Sequence, residues 1–287
     1  DDDRAKKVLE YRGWQKTTSS NYAPYLELLS PDGRLRPNYK LHGTRTGRLS
    51  CEKPNLQQIP RVSSNRWNGS LKRAFIAKPG YTLWEVDYSQ LELRLGASYG
   101  NVGSLLKAFE DGRDVFTEMA DELGMKRQDV KTLTYTIQYG GGVNRISNVF
   151  NVTPFEAQTL RKNFYDAYPG FKKVQIVASA KAAQQGYIKY WTGRRRHFDR
   201  PQEQAFKAFN SAIQGGAAEI VKRQLIEVDK QLDSPDCRLL LQVHDSGVWE
   251  IKNGKESELL PEISRIMTDV PQFGVTFAVD AHRWGGD

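Results

Sequence analysis

Two aspartates stand where apolar runs end. Asp87 follows Leu83-Trp84-Glu85-Val86, and Asp245 follows a run from Leu239 to His244. A carboxylate at the end of an apolar strand loses hydration unless it faces solvent, caps a helix or holds a cation. A helix cap accounts for Asp87 taken alone, and a hairpin turn accounts for Asp245 taken alone. If the two strands are neighbours, however, the carboxylates converge and repel, and a divalent cation resolves the conflict. Hard oxygen ligands of this kind suit Mg²⁺, which keeps waters and takes substrate phosphates. Two such ions about 3.5–4 Å apart can activate a hydroxyl and stabilise a leaving pyrophosphate.

A second constellation is Arg127, Lys131, Tyr135 and Tyr139, each four residues after the last. On a helix each step climbs about 6 Å and stays close to one face. A triphosphate would meet the two cations, and a base or sugar would meet the two rings. A solvated basic edge with two half-buried tyrosines has the same pattern. Gly140, Gly141 and Gly142 make room for a template base or simply end the helix. Arg194, Arg195 and Arg196 in TGRRR can grip a phosphate backbone or form a solvated loop. His244 can donate to a primer terminus or be a turn residue without function. Asn55, Gln57 and Gln58 are amides of the kind that read minor-groove acceptors, with Arg48 the nearest cation, but amides in loops are common.

The elements that must position these groups follow from pattern and punctuation. Residues 1 to about 30 read as helix, with Val8, Leu9, Trp14, Tyr25, Leu26, Leu28 and Leu29 as apolar anchors. Ser30-Pro31-Asp32-Gly33-Arg34 is a turn, and residues 35–70 form an irregular polar segment of the kind that carries binding groups. Residues 81–90 begin as a strand that delivers Asp87 and shift toward helix after it. Residues 113–139 are helical, broken around Gly124 and ended by the glycines. Thr153, Pro154 and Glu156 form a capping box for a helix that Pro169-Gly170 divides in two. Residues 187–198 read as a hairpin around Thr192-Gly193. The longest helix runs over 201–232, with Gly215 and Gly216 allowing close approach of another backbone. Residues 237–251 are two apolar strands around a polar turn at His244, Asp245, Ser246 and Gly247. Together they predict an α+β protein with a central antiparallel sheet and helices around it.

Composition fits this reading. The 287 residues suffice for one large domain or two joined ones. The 42 Lys and Arg exceed the 34 Asp and Glu, a formal charge of +8 that favours a polyanionic partner. No apolar stretch reaches 18 residues, so no membrane span and no membrane partner are expected. No secretory signal is expected in the first residues, which are acidic and then basic. Cys51 and Cys237 lack metal-ligand spacing and read as reduced residues of a cytoplasm-like compartment.

At these residues the sequence resembles the A family of DNA polymerases, of the bacterial polymerase I and bacteriophage replicative type. The resemblance rests on six segments in the family's order: TGRLSCEKPNLQQIP at 46–60, DYSQLELR at 87–94, RQDVKTLTYTIQYG at 127–140, GYIKYWTGRRR at 186–196, FNSAIQGGAAEIVK at 209–222 and LLLQVHDSGVWE at 239–250. It implies a right-hand polymerase fold, an antiparallel palm sheet with helical fingers. Residues 1–35 would be a thumb-base remnant and linker, 36–110 the first palm part, 111–200 the fingers and 201–287 the second palm part. Asp87 and Asp245 would be catalytic and bind two Mg²⁺ ions, with the backbone carbonyl of Tyr88 as a further ligand and Mn²⁺ as a substitute ion. Arg127 and Lys131 would hold the incoming triphosphate, Lys131 also counting as catalytic, and Tyr139 would pack near the templating position. Glu92 would line the sugar pocket and exclude a 2′-hydroxyl, and Tyr135 would stand beside the sugar, where a tyrosine goes with acceptance of dideoxynucleotides. Arg48, Asn55, Gln57, Gln214 and His244 resemble contacts that sense the primer terminus. Lys16 resembles the thumb-base lysine on duplex phosphates, and Arg194 and Arg195 are grouped with the DNA contacts.

The implied activity is template-directed transfer of deoxynucleoside monophosphates to a primer 3′-hydroxyl with release of pyrophosphate. Primer–template DNA and deoxynucleoside triphosphates would be the partners, in a bacterial cytoplasm or in the host cytoplasm of a bacteriophage. Three departures qualify it. Ser246 stands where the family usually has a third carboxylate, which predicts altered rate or metal preference and not inactivity. Phe116 replaces a histidine that contacts phosphate, which shifts the charge burden to Arg127 and Lys131. The chain also begins near the end of a thumb, so the thumb is expected to be mostly absent. A separate thumb or exonuclease polypeptide, or a processivity factor, is then a further expected partner. The competing readings are a catalytically weak nucleic-acid-binding subunit of a split or larger polymerase, and a single-subunit RNA polymerase.

Overall fold

The structure, a computed structural model, describes residues 2–59 and 68–286. Residues 60–67 of the irregular segment, with the Pro60 that closes TGRLSCEKPNLQQIP, lie outside the described residues. In chain order the elements are α1 (Asp3–Thr17), a π-helical turn (Thr18–Tyr22), α2 (Ala23–Glu27), β1 (Asn38–Lys40), β2 (Ser50–Glu52), α3 (Asn68–Arg73), β3 (Tyr81–Tyr88) and α4 (Leu91–Gly100). There follow α5 (Gly103–Glu110), α6 (Val115–Leu123), α7 (Arg127–Gln138), α8 (Val143–Phe150), α9 (Pro154–Ala167) and α10 (Pro169–Gln185). The chain ends with β4 (Tyr187–Lys189), β5 (Arg195–His197), α11 (Pro201–Gln204), α12 (Ala208–Leu232), β6 (Cys237–Val243), β7 (Ser246–Lys252), α13 (Glu256–Thr268) and β8 (Val279–Arg283).

These elements gather into two compact units. One comprises Asp1–Asp87, Leu225–Ile266 and Asp280–Asp287; the other comprises Tyr88–Gln224 and Met267–Val279.

The first unit is built on a four-stranded sheet in the order β6-β7-β3-β8. β7 is antiparallel to both β6 and β3, and β6 carries a register shift between Leu239 and Leu241. A strand in the middle of a sheet with both faces covered should be apolar throughout, and β7 is buried from Ser246 to Ile251. Leu83, Val248 and Trp284 form a core on one face, with Ile59, Phe75 and Leu241 against them. On the other face a Cβ at Gly247 would lie 2.3 Å from the Trp249 ring and 2.8 Å from Leu225. A second cluster holds Tyr25, Cys51, Leu56 and Leu71, and both cysteines are free and buried.

One sequence expectation fails here. Of the apolar anchors assigned to residues 1–30, only Tyr25 is buried. Val8, Leu9 and Trp14 are exposed and α1 buries no residue, because the described residues offer that helix no apolar partner surface.

The second unit is mainly helical. Its local signals act as the sequence predicts: Thr153 and Glu156 form the capping box of α9, Gly124 ends α6 at φ 62°, and β4 and β5 pair antiparallel across the Thr192-Gly193 turn. Phe164 packs its ring against Tyr165, Tyr168 and Phe171, and Phe171 packs edge-on against Phe209. Gly215 is closely approached, but by a side chain and not by another backbone: a Cβ there would lie 2.1 Å from the Tyr190 ring. The long helical run is divided by a 3-10 turn at Ala205–Lys207 into α11 and α12. No helix among the described residues is long and apolar enough to cross a membrane.

The Gly247 contact gives a stability prediction. Gly247→Ala should lower unfolding stability by about 1–3 kcal/mol through overpacking, read as a shift of the urea midpoint at constant slope. An unchanged midpoint would mean that Trp249 and Leu225 yield without cost.

Candidate active site

In the first unit the ladder places the two aspartates. Asp87 is the Cα partner of Ser246 across the β3–β7 pair, and Asp245 immediately precedes Ser246 in the turn from β6. The carboxylates therefore stand at neighbouring positions at one end of the same antiparallel pair. The turn is tight, with His244 at φ 52°, a left-handed conformation in which histidine is more common than most non-glycine residues. Gln242 Nε2 donates to the His244 carbonyl, while the His244 side chain is exposed. Arg48 Nη2 lies 3.2 Å from Asp245 Oδ1, both side chains being partly buried. Two hard oxygen donors with a neighbouring guanidinium form an arrangement that a cation retaining its waters can use. Among the described residues no group of three or more His, Cys, Asp or Glu is placed to hold a metal.

The predicted amides are also brought to β6. Asn55 accepts from the Gln57 backbone N–H at 3.1 Å and so caps the 3-10 turn Leu56–Gln58. Gln57 is buried, and its Nε2 donates to Gln242 Oε1 at 2.7 Å. Gln242 in turn exchanges hydrogen bonds with Tyr39. Gln58 is exposed beside them. Lys16 sits in the exposed last turn of α1 and is not joined to this group.

Beneath the aspartates lies a polar cluster that the sequence reading missed. Glu85, 8% exposed, accepts from Ser246 Oγ at 2.9 Å and from Lys72 Nζ at 2.6 Å, and His282 Nε2 stands 3.1 Å away. Burial pushes the Glu85 carboxyl up, but Lys72, Ser246 and His282 together outweigh it and leave the group below its ordinary value. The available signal was an acid inside the apolar run, two residues before Asp87. Its partners, at 72, 246 and 282, are too distant in sequence for pattern reading.

In the second unit the helical stripe forms as expected. Arg127, Lys131 and Tyr135 lie on α7 and Tyr139 at its C-cap, on the side away from the buried Val130, Leu133 and Ile137. The Tyr135 and Tyr139 rings pack with centroids 5.9 Å apart, tilted by 33°. Phe116 is buried against Tyr135 at 6.0 Å, and both Arg127 and Lys131 reach within 6 Å of its ring. The residue that lacks a phosphate donor thus provides a π-face under both cations. Arg127 Nε also donates to Asp114 Oδ2 at 2.7 Å, a partner not foreseen. Tyr139 donates to Glu92 Oε2 at 2.6 Å, and Gln138 Nε2 donates to the Glu92 carbonyl at 2.6 Å. Glu92 is buried, so its carboxylate is held at a fixed point.

The remaining candidates are placed separately. Tyr88 ends β3 with its ring buried and its hydroxyl donating to the Met267 carbonyl. Arg194 faces Glu219 at 3.5 Å, Arg195 stacks over Tyr187 and Arg196 over Phe198. Gln214 is half-buried on α12, next to the Gly215 contact.

A model of DNA polymerase family A matches residues 1–285. The chain belongs to that family. It is similar to DNA polymerase I of Deinococcus radiodurans, 33% identical over 291 residues that make up 95% of this chain and 30% of that protein. Thermostable DNA polymerase I of Thermus aquaticus is 31% identical over 293 residues, 96% of this chain and 35% of the relative. Among solved structures, the POL domain of Pol1 from M. smegmatis in complex with DNA primer-template and dNTP matches with a TM-score of 0.90 at 26% identity. That match covers 98% of this chain and 53% of the other. The α+β class and the polymerase fold expected from the sequence are those of this chain. It spans about a third of the length of these family A relatives.

The Arg127–Asp114 pair carries a pH prediction. The hydrogen bond from Arg127, with those from Thr117 and the Phe116 N–H, lowers the Asp114 pKa from 3.8 to about 2 despite some desolvation. A carboxylate depressed in the folded state stabilises above its unfolded pKa and loses that contribution as pH falls through the folded one. Asp114→Asn, which keeps the helix cap, should therefore lower Tm by a constant amount from pH 7 to about 4. The difference should close between 3.8 and about 2, as measured by circular dichroism. A difference that persists at pH 2 would show that the charge is not its source.

Proposed function

We propose that this chain catalyses template-directed DNA synthesis, adding deoxynucleoside monophosphates to a primer 3′-hydroxyl and releasing pyrophosphate. Membership of the polymerase family supports the reaction class, and the β3–β7 register that sets Asp87 beside the Asp245 turn is the observation that carries it. Mere binding of nucleic acid needs no paired carboxylates at the end of one ladder. Primer–template DNA and deoxynucleoside triphosphates are the substrates in this reading.

Asp87 and Asp245 are the residues that would hold two Mg²⁺ ions, or Mn²⁺ in their place, with the Tyr88 carbonyl as a further ligand. Their fit is that of hard oxygen donors converging in number sufficient for a hydrated ion that also binds phosphate. When bound, such ions lower the pKa of an attacking hydroxyl and offset charge on the leaving group. Arg127 and Lys131 bind the triphosphate, Arg127 through its guanidinium fork and Lys131 as a point charge. The Phe116 face keeps both cations on one side of α7.

Tyr135 contacts the sugar and Tyr139 the templating position. Glu92, fixed by the Tyr139 hydroxyl, excludes a 2′-hydroxyl because a buried carboxylate held in place leaves no room for it. That favours a DNA polymerase over the single-subunit RNA polymerase reading. Gln57 is oriented by Gln242 and, with Asn55, Arg48, Gln214 and His244, contacts the primer–template. Lys16, Arg194 and Arg195 contact phosphates, a contribution that should weaken as salt rises. The division into a thumb base, two palm parts and fingers at 35, 110 and 200 is part of the same proposal.

The test is extension of a labelled primer on a template by the purified chain with four deoxynucleotides and Mg²⁺. Extension should occur, and Asp245→Ala should slow it by at least about 100-fold, about 2.7 kcal/mol in barrier, while duplex binding by fluorescence anisotropy persists. No extension by a chain that binds duplex would favour the weak binding subunit. In the same assay Glu92→Ala should reduce the preference for deoxy- over ribonucleotides by about 10–200-fold. Equal use of both by the unaltered chain would contradict the role given to Glu92.

A further inference from the structure

Glu85 is a buried carboxylate to which the reaction proposed above gives no part. It lies two residues before Asp87 on β3, so its side chain leaves the same face of the sheet. The same face of β7 presents Ser246, the cross-strand partner of Asp87. Ser246 is 1% exposed, and its hydroxyl lies 2.9 Å from both Glu85 Oε1 and the Val243 carbonyl. Val243 is the last residue of β6 and Ser246 the first of β7, so the hydroxyl stands between the other flank of the Asp245 turn and β3. A hydroxyl has one proton, and an ionised carboxylate is the stronger acceptor.

Lys72 determines what this carboxylate can do. Its ammonium is 2.6 Å from Glu85 Oε2 and 4.1 Å from the centre of the Trp284 ring, while Trp284 Nε1 donates to the Lys72 carbonyl at 3.1 Å. Removing two charges from water is in itself a poor source of net stability, because desolvation offsets the attraction. Here the cation neutralises Glu85 on a face that already carries Asp87, leaving Oε1 to grip the serine.

We propose that Glu85 is a positioning residue that acts through Ser246. It holds the His244–Asp245 turn against the end of β3 and so fixes the two aspartates at the separation a divalent cation requires. This inference rests on the reading of Asp87 and Asp245 as cation ligands. It assigns to Ser246 and a neighbouring strand the task of organising that pair.

The experiment compares the unaltered chain with Glu85→Gln, Ser246→Ala and the double variant. Three quantities are measured: Mn²⁺ affinity by electron paramagnetic resonance without DNA, kcat and KM for nucleotide in primer extension, and Tm. Each single variant should weaken Mn²⁺ binding and lower kcat by about 10-fold or more, with KM within about twofold. The double variant should be no worse than the poorer single one, because both remove one shared interaction. Should Glu85→Gln fail to fold, Ser246→Ala alone carries the test, since it removes only the hydroxyl. Unchanged Mn²⁺ affinity and kcat with a lowered Tm would overturn the proposal and leave the cluster a stabilising role. Additive losses in the double variant would also overturn it. An unaltered chain that neither binds Mn²⁺ nor extends primer would overturn the polymerase reading and this inference together, whereas failure of the variants alone to respond overturns only the latter.

Discussion

Two like charges are brought to the end of one pair of strands, and the surrounding unit is arranged to tolerate them. Like charges at neighbouring positions repel, a cost set against the small total stability of an ordinary domain. The β3–β7 register forces this proximity by pairing Asp87 with Ser246. The same register puts Leu83 and Val248 into the core beside Trp284, so a slip by one residue would turn both the core and the aspartates to the wrong face. Packing therefore enforces what electrostatics opposes. Arg48 beside Asp245 and Lys72 beside Glu85 offset part of the charge.

The second unit holds the two cations of α7 by other means. Arg127 is held by Asp114 through Nε, a bond that orients the guanidinium plane. Lys131 shares with Arg127 the face of Phe116. An aromatic ring attracts cations without a formal negative charge, so beyond the Asp114 contact it organises the pair without neutralising it. Glu92 receives the opposite treatment: it is buried and bound by Tyr139, so its carboxylate is fixed in position.

Much of this was legible in the sequence because it rests on local rules. The capping box at Thr153 and Glu156, the αL glycine at 124, the hairpin around Thr192-Gly193 and the four-residue spacing of the α7 stripe are short-range patterns with one structural solution each. The strand-end aspartates were legible as candidates, but their adjacency depends on which strands pair, and no local rule fixes that. The Lys72–Glu85–Ser246–His282 cluster was illegible for the same reason, since four distant segments supply one group each. Ser246 illustrates the difference. As a residue type it marks a missing carboxylate; in the fold it is a buried hydroxyl bonded to a carboxylate on the next strand. Helix α1 failed in the opposite direction, because apolar residues reveal a need for a partner surface and not its presence.

The proposed reaction requires Asp87 and Asp245 to act together on divalent cations. The most direct measurement is anomalous diffraction from crystals of the chain grown with primer–template, a non-reactive deoxynucleotide analogue and Mn²⁺. Manganese peaks are expected about 2.1 Å from carboxylate oxygens of both aspartates, with nucleotide phosphate completing the coordination. Manganese bound elsewhere, or contacting only one of the two carboxylates, would contradict it.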